Sequence, residues 1–196
     1  VSNGRLLDAY GNDFVIRGVN NPHIWFDPDN QYLAYRALDT IAGYGTNTIR
    51  VVWETTGSAT LLAQILYRIV ELKMIPMVEL HDATGKTSNS DLTASANYYV
   101  QTDVKKVLTD FRAYALINIA NEWSGTDYLN AYKSAITILR NGGLNHTLVI
   151  DAGNWGQDAS YIFDNATALT AADPQKNLLF SVHMYAMYTT ASAVDT

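Results

Sequence analysis

The chain has 196 residues, 48% hydrophobic and 16% charged, with a formal net charge of −6. That is enough for one substantial core. The acidic balance and the lack of a basic cluster exclude a nucleic-acid surface, no apolar run reaches the roughly 20 residues of a membrane span, and the absence of cysteine excludes disulfides and thiolate chemistry.

Taken in order, the chain alternates strand and helix. Phe14 to Asn20 reads as a first strand, followed by the loop from Asn21 to Phe26. Asp29 or Asn30 can cap a first helix carrying Leu33, Ala37, Leu38 and Ile41, with Gly43 and Gly45 ending it. Thr46 to Trp53 is a second strand. Leu61 to Lys73 is a second helix, with Leu62, Ile65, Leu66, Ile69 and Val70 at helical spacing. Ile75 to Asp82 is a third strand, and Ala94 to Asp110 a third helix after a polar loop.

Tyr114 to Gly125 is the stretch the chain is organised around. It begins as a strand and ends in a carboxylate. Strand alternation places Ile117 and Ile119 on one face and Asn118, Ala120 and Glu122 on the other. A fourth helix runs from Thr126 or Asp127 to Asn141. Thr147 to Asp151 is a fifth strand, Ser160 to Ala171 a fifth helix and Leu178 to Tyr185 a sixth strand; the tail to Thr196 starts a sixth helix.

Strands separated by helices imply parallel βαβ units. No Gly-rich phosphate loop follows the first strand, which disfavours a nucleotide-binding fold and favours a barrel. About six strand–helix units are visible where a (β/α)8 TIM barrel needs about eight. The fold expected is an α/β barrel truncated after the sixth strand. No composition break divides 1–196 into two domains.

The same alternation gathers polar groups. Arg50, Val52 and Glu54 share a face of the second strand, Glu79 and His81 a face of the third, and Ser181, His183 and Tyr185 a face of the sixth. The opposite faces are mostly apolar. Four strands ending in polar groups at one end predict a built pocket, and the C-terminal end of barrel strands is where chemistry sits.

These residues carry a resemblance. Asn118-Ile-Ala-Asn-Glu-Trp123 resembles the fourth-strand motif of family 5 glycoside hydrolases, in which the Glu is the general acid/base. Thr48-Ile-Arg-Val-Val52 is similar to the second-strand segment with its active-site Arg, the run from Glu79 to Lys86 to the third-strand His motif, and His183-Met-Tyr185 to the sixth-strand His-x-Tyr. Trp123 after the Glu, the run from His81 to Lys86 and the segment Asp151 to Gln157 most resemble the bacterial endo-β-1,4-mannanase branch.

The resemblance implies a retaining glycosidase, with two carboxyl groups about 5–5.5 Å apart. It implies that Glu122 is the acid/base and that Asn121 bonds the sugar 2-hydroxyl. Arg50 and Tyr185 would hold the nucleophile, and His81 and His183 would orient carboxylates or bind hydroxyls. Trp25, Trp123 and Trp155 are candidates for stacking on sugar faces, with His23 beside them; packing in the core or against helices is the equal alternative for the three tryptophans. The family's nucleophilic Glu stands on a seventh strand and its aromatic platform on an eighth; neither strand is present in this sequence. Glu54 and Asp151 read as members of hydrogen-bond networks rather than as that nucleophile.

The partner implied is β-mannan, with a second chain or segment completing the barrel. No nucleic acid, membrane, cofactor or metal is expected; His81 and His183 lack further ligands at metal spacing. Cellulase or xylanase activity, and a noncatalytic polysaccharide-binding barrel, are the alternatives. The chain opens on Val1 with no signal-peptide pattern, as a mature secreted protein or a trimmed chain would, and Asn145 and Asn165 match the glycosylation acceptor pattern.

Overall fold

The computed structural model describes residues 1–185 and 188–194. Six parallel strands form one sheet in sequence order: β1 (Gly18–Asn21), β2 (Thr48–Trp53), β3 (Ile75–Leu80), β4 (Leu116–Asn118), β5 (Leu148–Asp151) and β6 (Leu178–Ser181). Each strand pairs in parallel with the next, as in Arg50 opposite Met77 and Asp151 opposite Ser181. Helices cross between them, giving the arrangement of a (β/α) barrel. No helix among the described residues is long and apolar enough to cross a membrane.

The two faces of the sheet are two different cores. Ile49, Val51, Trp53, Val78, Leu80, Ile117, Ile119, Leu148 and Ile150 point outward and pack against the helices. The inner face carries a small apolar layer of Met77, Leu116 and Val149, with Ile75 and Leu179 against it. One pleat further along these strands stand Glu79, Asn118, Asp151 and Ser181. Period two therefore puts an apolar floor beneath a polar layer.

Several boundaries differ from the sequence expectation. Residues 14–17 are not strand: Phe14 donates its N–H to Leu6 and Leu7 bridges Asp13, so this segment closes a hairpin. β2 starts at Thr48 because Thr46 bonds the Ile41 carbonyl and Asn47 bonds Arg17 and Val15. The first helix is split into a 3-10 turn (Pro28–Asn30) and two short helices, Leu33–Arg36 and Leu38–Ala42; His23–Phe26 adds a helical turn inside the loop.

The third helix is two helices, Asn89–Tyr99 and Thr102–Asp110, broken where Gln101 turns extended. A single straight helix would put Tyr99 and Leu108 on opposite sides, since nine residues at about 100° each make two and a half turns. Both are fully buried, so the break lets both face the sheet. Tyr99 then donates to the carbonyls of Val78 and Asn118, and Trp53 donates to the Tyr98 hydroxyl.

β4 and β6 are shorter than expected. β4 ends at Asn118, and Ala120 belongs to the outer core rather than to the face of Asn118. β6 ends at Ser181, so His183 and Tyr185 stand on the loop beyond it. Of the tail, Ala191–Val194 is helical, while 195–196 lie outside the described residues.

Candidate active site

An open cavity of about 1040 Å³ runs along the inner face of the sheet, from Gly18 and Thr48 at the start of β1 and β2, past Met77 and Val149, to the C-terminal ends of the strands. Arg50, His81, Asn121, Glu122, His183 and Tyr185 all line it.

Arg50 is its anchor. Its Nε and Nη2 donate to Asn118 Oδ1 at 3.1 and 2.6 Å, and Nη2 also reaches Asn121 Oδ1 at 2.8 Å. Nη1 lies 3.6 Å from Glu79 Oε2, and Nη2 lies 3.5 Å from Asp151 Oδ2. A guanidinium can hold this many acceptors because its donors form a rigid planar fork. Asn121 is locked from its other end, where Nδ2 donates to Thr84 Oγ1 at 2.9 Å. Thr84 in turn donates to the His81 carbonyl.

Glu122 sits on a turn with left-handed backbone, φ 48°, not on a strand. That conformation costs a residue with a Cβ about 1–2 kcal/mol and persists where surrounding bonds over-determine it. Here they do: its N–H donates to Asp151 Oδ2 at 3.2 Å and its carbonyl accepts from Gly85 at 3.1 Å and from Ser124 Oγ. Its carboxyl meets His183, with Nδ1 2.7 Å from Oε1.

The other ring nitrogen of His183, Nε2, is 3.1 Å from Asp151 Oδ2. Burial alone would push His183 down, but its hydrogen bonds to Asp151 and Glu122 outweigh burial and raise it from 6.5 to about 9. At that value the ring carries a proton on both nitrogens near neutral pH, one N–H facing Asp151 and one facing Glu122. Asp151 is fully buried; burial pushes it up, yet the His183 bond and the Arg50 charge leave it below the usual carboxylate range. Glu79 shows the opposite balance. Burial is larger than the help from Arg50 and His81, and its carboxyl is raised. His81 Nδ1 is 2.9 Å from Glu79 Oε1.

The aromatic expectations divide. Trp25, about one-third exposed, tilts against the His81 ring at 4.8 Å. Trp155 is half exposed on a left-handed turn, φ 59°, over Gly85, where any Cβ would collide with the indole. Trp123 is a correction: it is fully buried, donates to the Ser88 carbonyl and packs edge-on against Tyr132, so it is core and cannot stack on a sugar. His23 pairs with Asp27 at 2.7 Å and, like Trp25 and Trp155, does not line the cavity. Tyr185 is exposed, its ring edge-on to His183 at 6.2 Å.

Asn118, Thr84 and Phe26 were not singled out as site residues. Asn118 had a signal, the inward face of β4; Thr84 and Phe26 had none in spacing. Phe26 lines the cavity with its ring 6.3 Å from His81. Glu54 accepts from Gln31 Nε2 at 2.7 Å, in a separate network. No group of three or more potential ligands is arranged around a metal position among the described residues.

Comparison with known proteins gives a consistent set of relatives. Residues 7–195 match the family described as cellulase (glycosyl hydrolase family 5). Mannan endo-1,4-beta-mannosidase of Cellvibrio japonicus (strain Ueda107) is 38% identical over 210 residues, covering all of this chain and 47% of that protein. Mannan endo-1,4-beta-mannosidase of Salipaludibacillus agaradhaerens is 38% identical over 195 residues, covering 94% of this chain and 61% of the relative. The crystal structure of beta-mannanase from Streptomyces thermolilacinus with mannohexaose superposes with a TM-score of 0.87 at 37% identity, over all of this chain and 67% of its own. The chain thus spans about half to three-fifths of the length of these curated relatives.

Proposed function

Because the chain belongs to glycosyl hydrolase family 5, we propose that it forms the acid/base half of an endo-acting, retaining β-1,4-mannanase. The observation that carries this reading is the Glu122 carboxyl, held at 2.7 Å by His183 in the cavity lined by Arg50 and Asn121. The mannan-acting relatives support the substrate.

In the proposed reaction Glu122 gives its proton to the glycosidic oxygen as the C1–O bond breaks. A second carboxylate closes on C1 and forms a glycosyl ester. Water then gives a proton back to Glu122 and its hydroxyl to C1, releasing that carboxylate. Glu79 and Asp151 are poor choices for the nucleophile, since both are fully buried and already engaged. The nucleophile is proposed to come from a further strand of the longer protein, beside Arg50 and within reach of the exposed Tyr185. Such strands would also cover the edges that β1 and β6 present among the described residues. In this reading Asn121, fixed by Arg50 and Thr84, would bond the sugar 2-hydroxyl, and Trp25, Phe26 and Trp155 would meet the polymer. Action on a polysaccharide outside the cell would require secretion.

The test is hydrolysis of β-mannan, cellulose and xylan by the full-length protein. Mannan is expected to be preferred by about tenfold or more. An equal preference for cellulose would replace the mannanase reading with a glucanase one.

A further inference from the structure

We propose that Asp151 is a positioning residue that grips Glu122 twice, by the main chain directly and by the carboxyl through His183. The inference rests on the acid/base role proposed for Glu122.

The geometry is specific. Asp151 is the last residue of β5 and is fully buried. Its Oδ1 accepts from Asn118 Nδ2 at 3.1 Å, which sets the plane of the carboxylate. Its Oδ2 accepts the Glu122 N–H at 3.2 Å and faces His183 Nε2 at 3.1 Å. The first bond stabilises the left-handed backbone that aims Glu122 into the cavity. A carboxylate acceptor makes such a bond stronger than a neutral one of the same length. The second fixes the ring orientation and leaves Nδ1–H pointing at Glu122 Oε1. One oxygen of the acid is thereby committed as an acceptor. The proton delivered to the leaving group then resides on Oε2, which no described residue engages.

The charges facing His183 are Asp151 from β5, Glu122 from the turn after β4 and Arg50 from β2; Tyr185 lies edge-on from its own segment. The Gly156 carbonyl accepts the backbone N–H of His183 at 2.7 Å. Removing the charge of Asp151 therefore leaves a desolvated imidazole with Glu122 as its one acidic partner, and takes away one of the two carboxyl groups, Asp151 and Glu79, that face Arg50. Mere packing predicts no such change in the ring's proton affinity.

The experiment is a nitrogen-15 titration of the His183 imidazole in the full-length protein and in Asp151→Asn, with kinetics on the same samples. In the wild type the doubly protonated ring should persist well above pH 7. In the variant its midpoint should fall by about one unit or more. On mannan, kcat should fall about 100-fold with KM little changed, and an aryl mannoside with a very good leaving group should lose much less. A wild-type ring titrating at its ordinary value overturns the proposal, even if the variant does not fold. An unchanged midpoint in a folded variant overturns it equally. If the wild type cleaves no mannan, the functional reading fails, while the titration still decides whether Asp151 holds His183.

Discussion

Gly156 lies directly beneath the His183 imidazole: a Cβ on Gly156 would stand 2.7 Å from the ring's Cγ and 2.8 Å from its Nδ1. The carbonyl of the same glycine accepts the backbone N–H of His183, and its φ is +73°. It closes a left-handed turn that also includes Asn154 and Trp155. The sequence places Gly there because only Gly takes that backbone freely and leaves room for the ring.

Gly156→Ala should therefore act twice. Backbone strain should cost about 1–2 kcal/mol, and the displaced ring should lose its bond to Glu122. Thermal denaturation measures the first effect. Loss of kcat in a variant that still folds measures the second; an unchanged kcat would mean that the ring's position does not matter.

The pH dependence of stability follows from His183 and Asp151. His183 is raised from 6.5 to about 9 in the fold, so its contribution is complete below about 6.5 and is lost as pH rises through about 9. Asp151 is held below its ordinary 3.8, so its contribution is present above that value and is lost as pH falls through the lower folded one. Denaturant unfolding of wild type and His183→Gln should show a gap on the order of a few kcal/mol near pH 6 that narrows toward pH 9 and above. A gap independent of pH would contradict the ion-pair account.

Two tryptophans make a contrasting pair. Trp123→Ala empties a core position and should cost about 3–5 kcal/mol in stability. Trp25→Ala removes an exposed ring beside His81 and should leave stability nearly unchanged while raising KM for long mannan oligomers. Unfolding curves and Michaelis kinetics on both variants separate the roles. Equal effects on stability would show that Trp25 is core as well.

Much of this was legible in the sequence because periodicity is local. The alternation in β2 and β3 placed Arg50 and Glu79 on the inner face, and the helix from Ala59 to Glu71 followed its apolar spacing. What was not legible depended on distant partners. Alternation failed at Glu122 because the chain leaves β4 after Asn118 and turns left-handed, held by a carboxylate 29 residues away. From its place in the motif Trp123 suits either sugar stacking or packing. Its burial is decided by Tyr132 and Ser88, which only the fold brings to it.

Glu122→Ala in the full-length protein puts the acid/base role of Glu122 to the test. Mannan hydrolysis should fall by about 10²–10⁴-fold. The first step on an aryl β-mannoside with a very good leaving group should be spared, because that group needs no proton. Azide should then restore turnover by attacking the glycosyl ester without needing a base, giving a β-mannosyl azide. Near-normal mannan hydrolysis by the variant, or an α-configured azide product, would contradict the assignment.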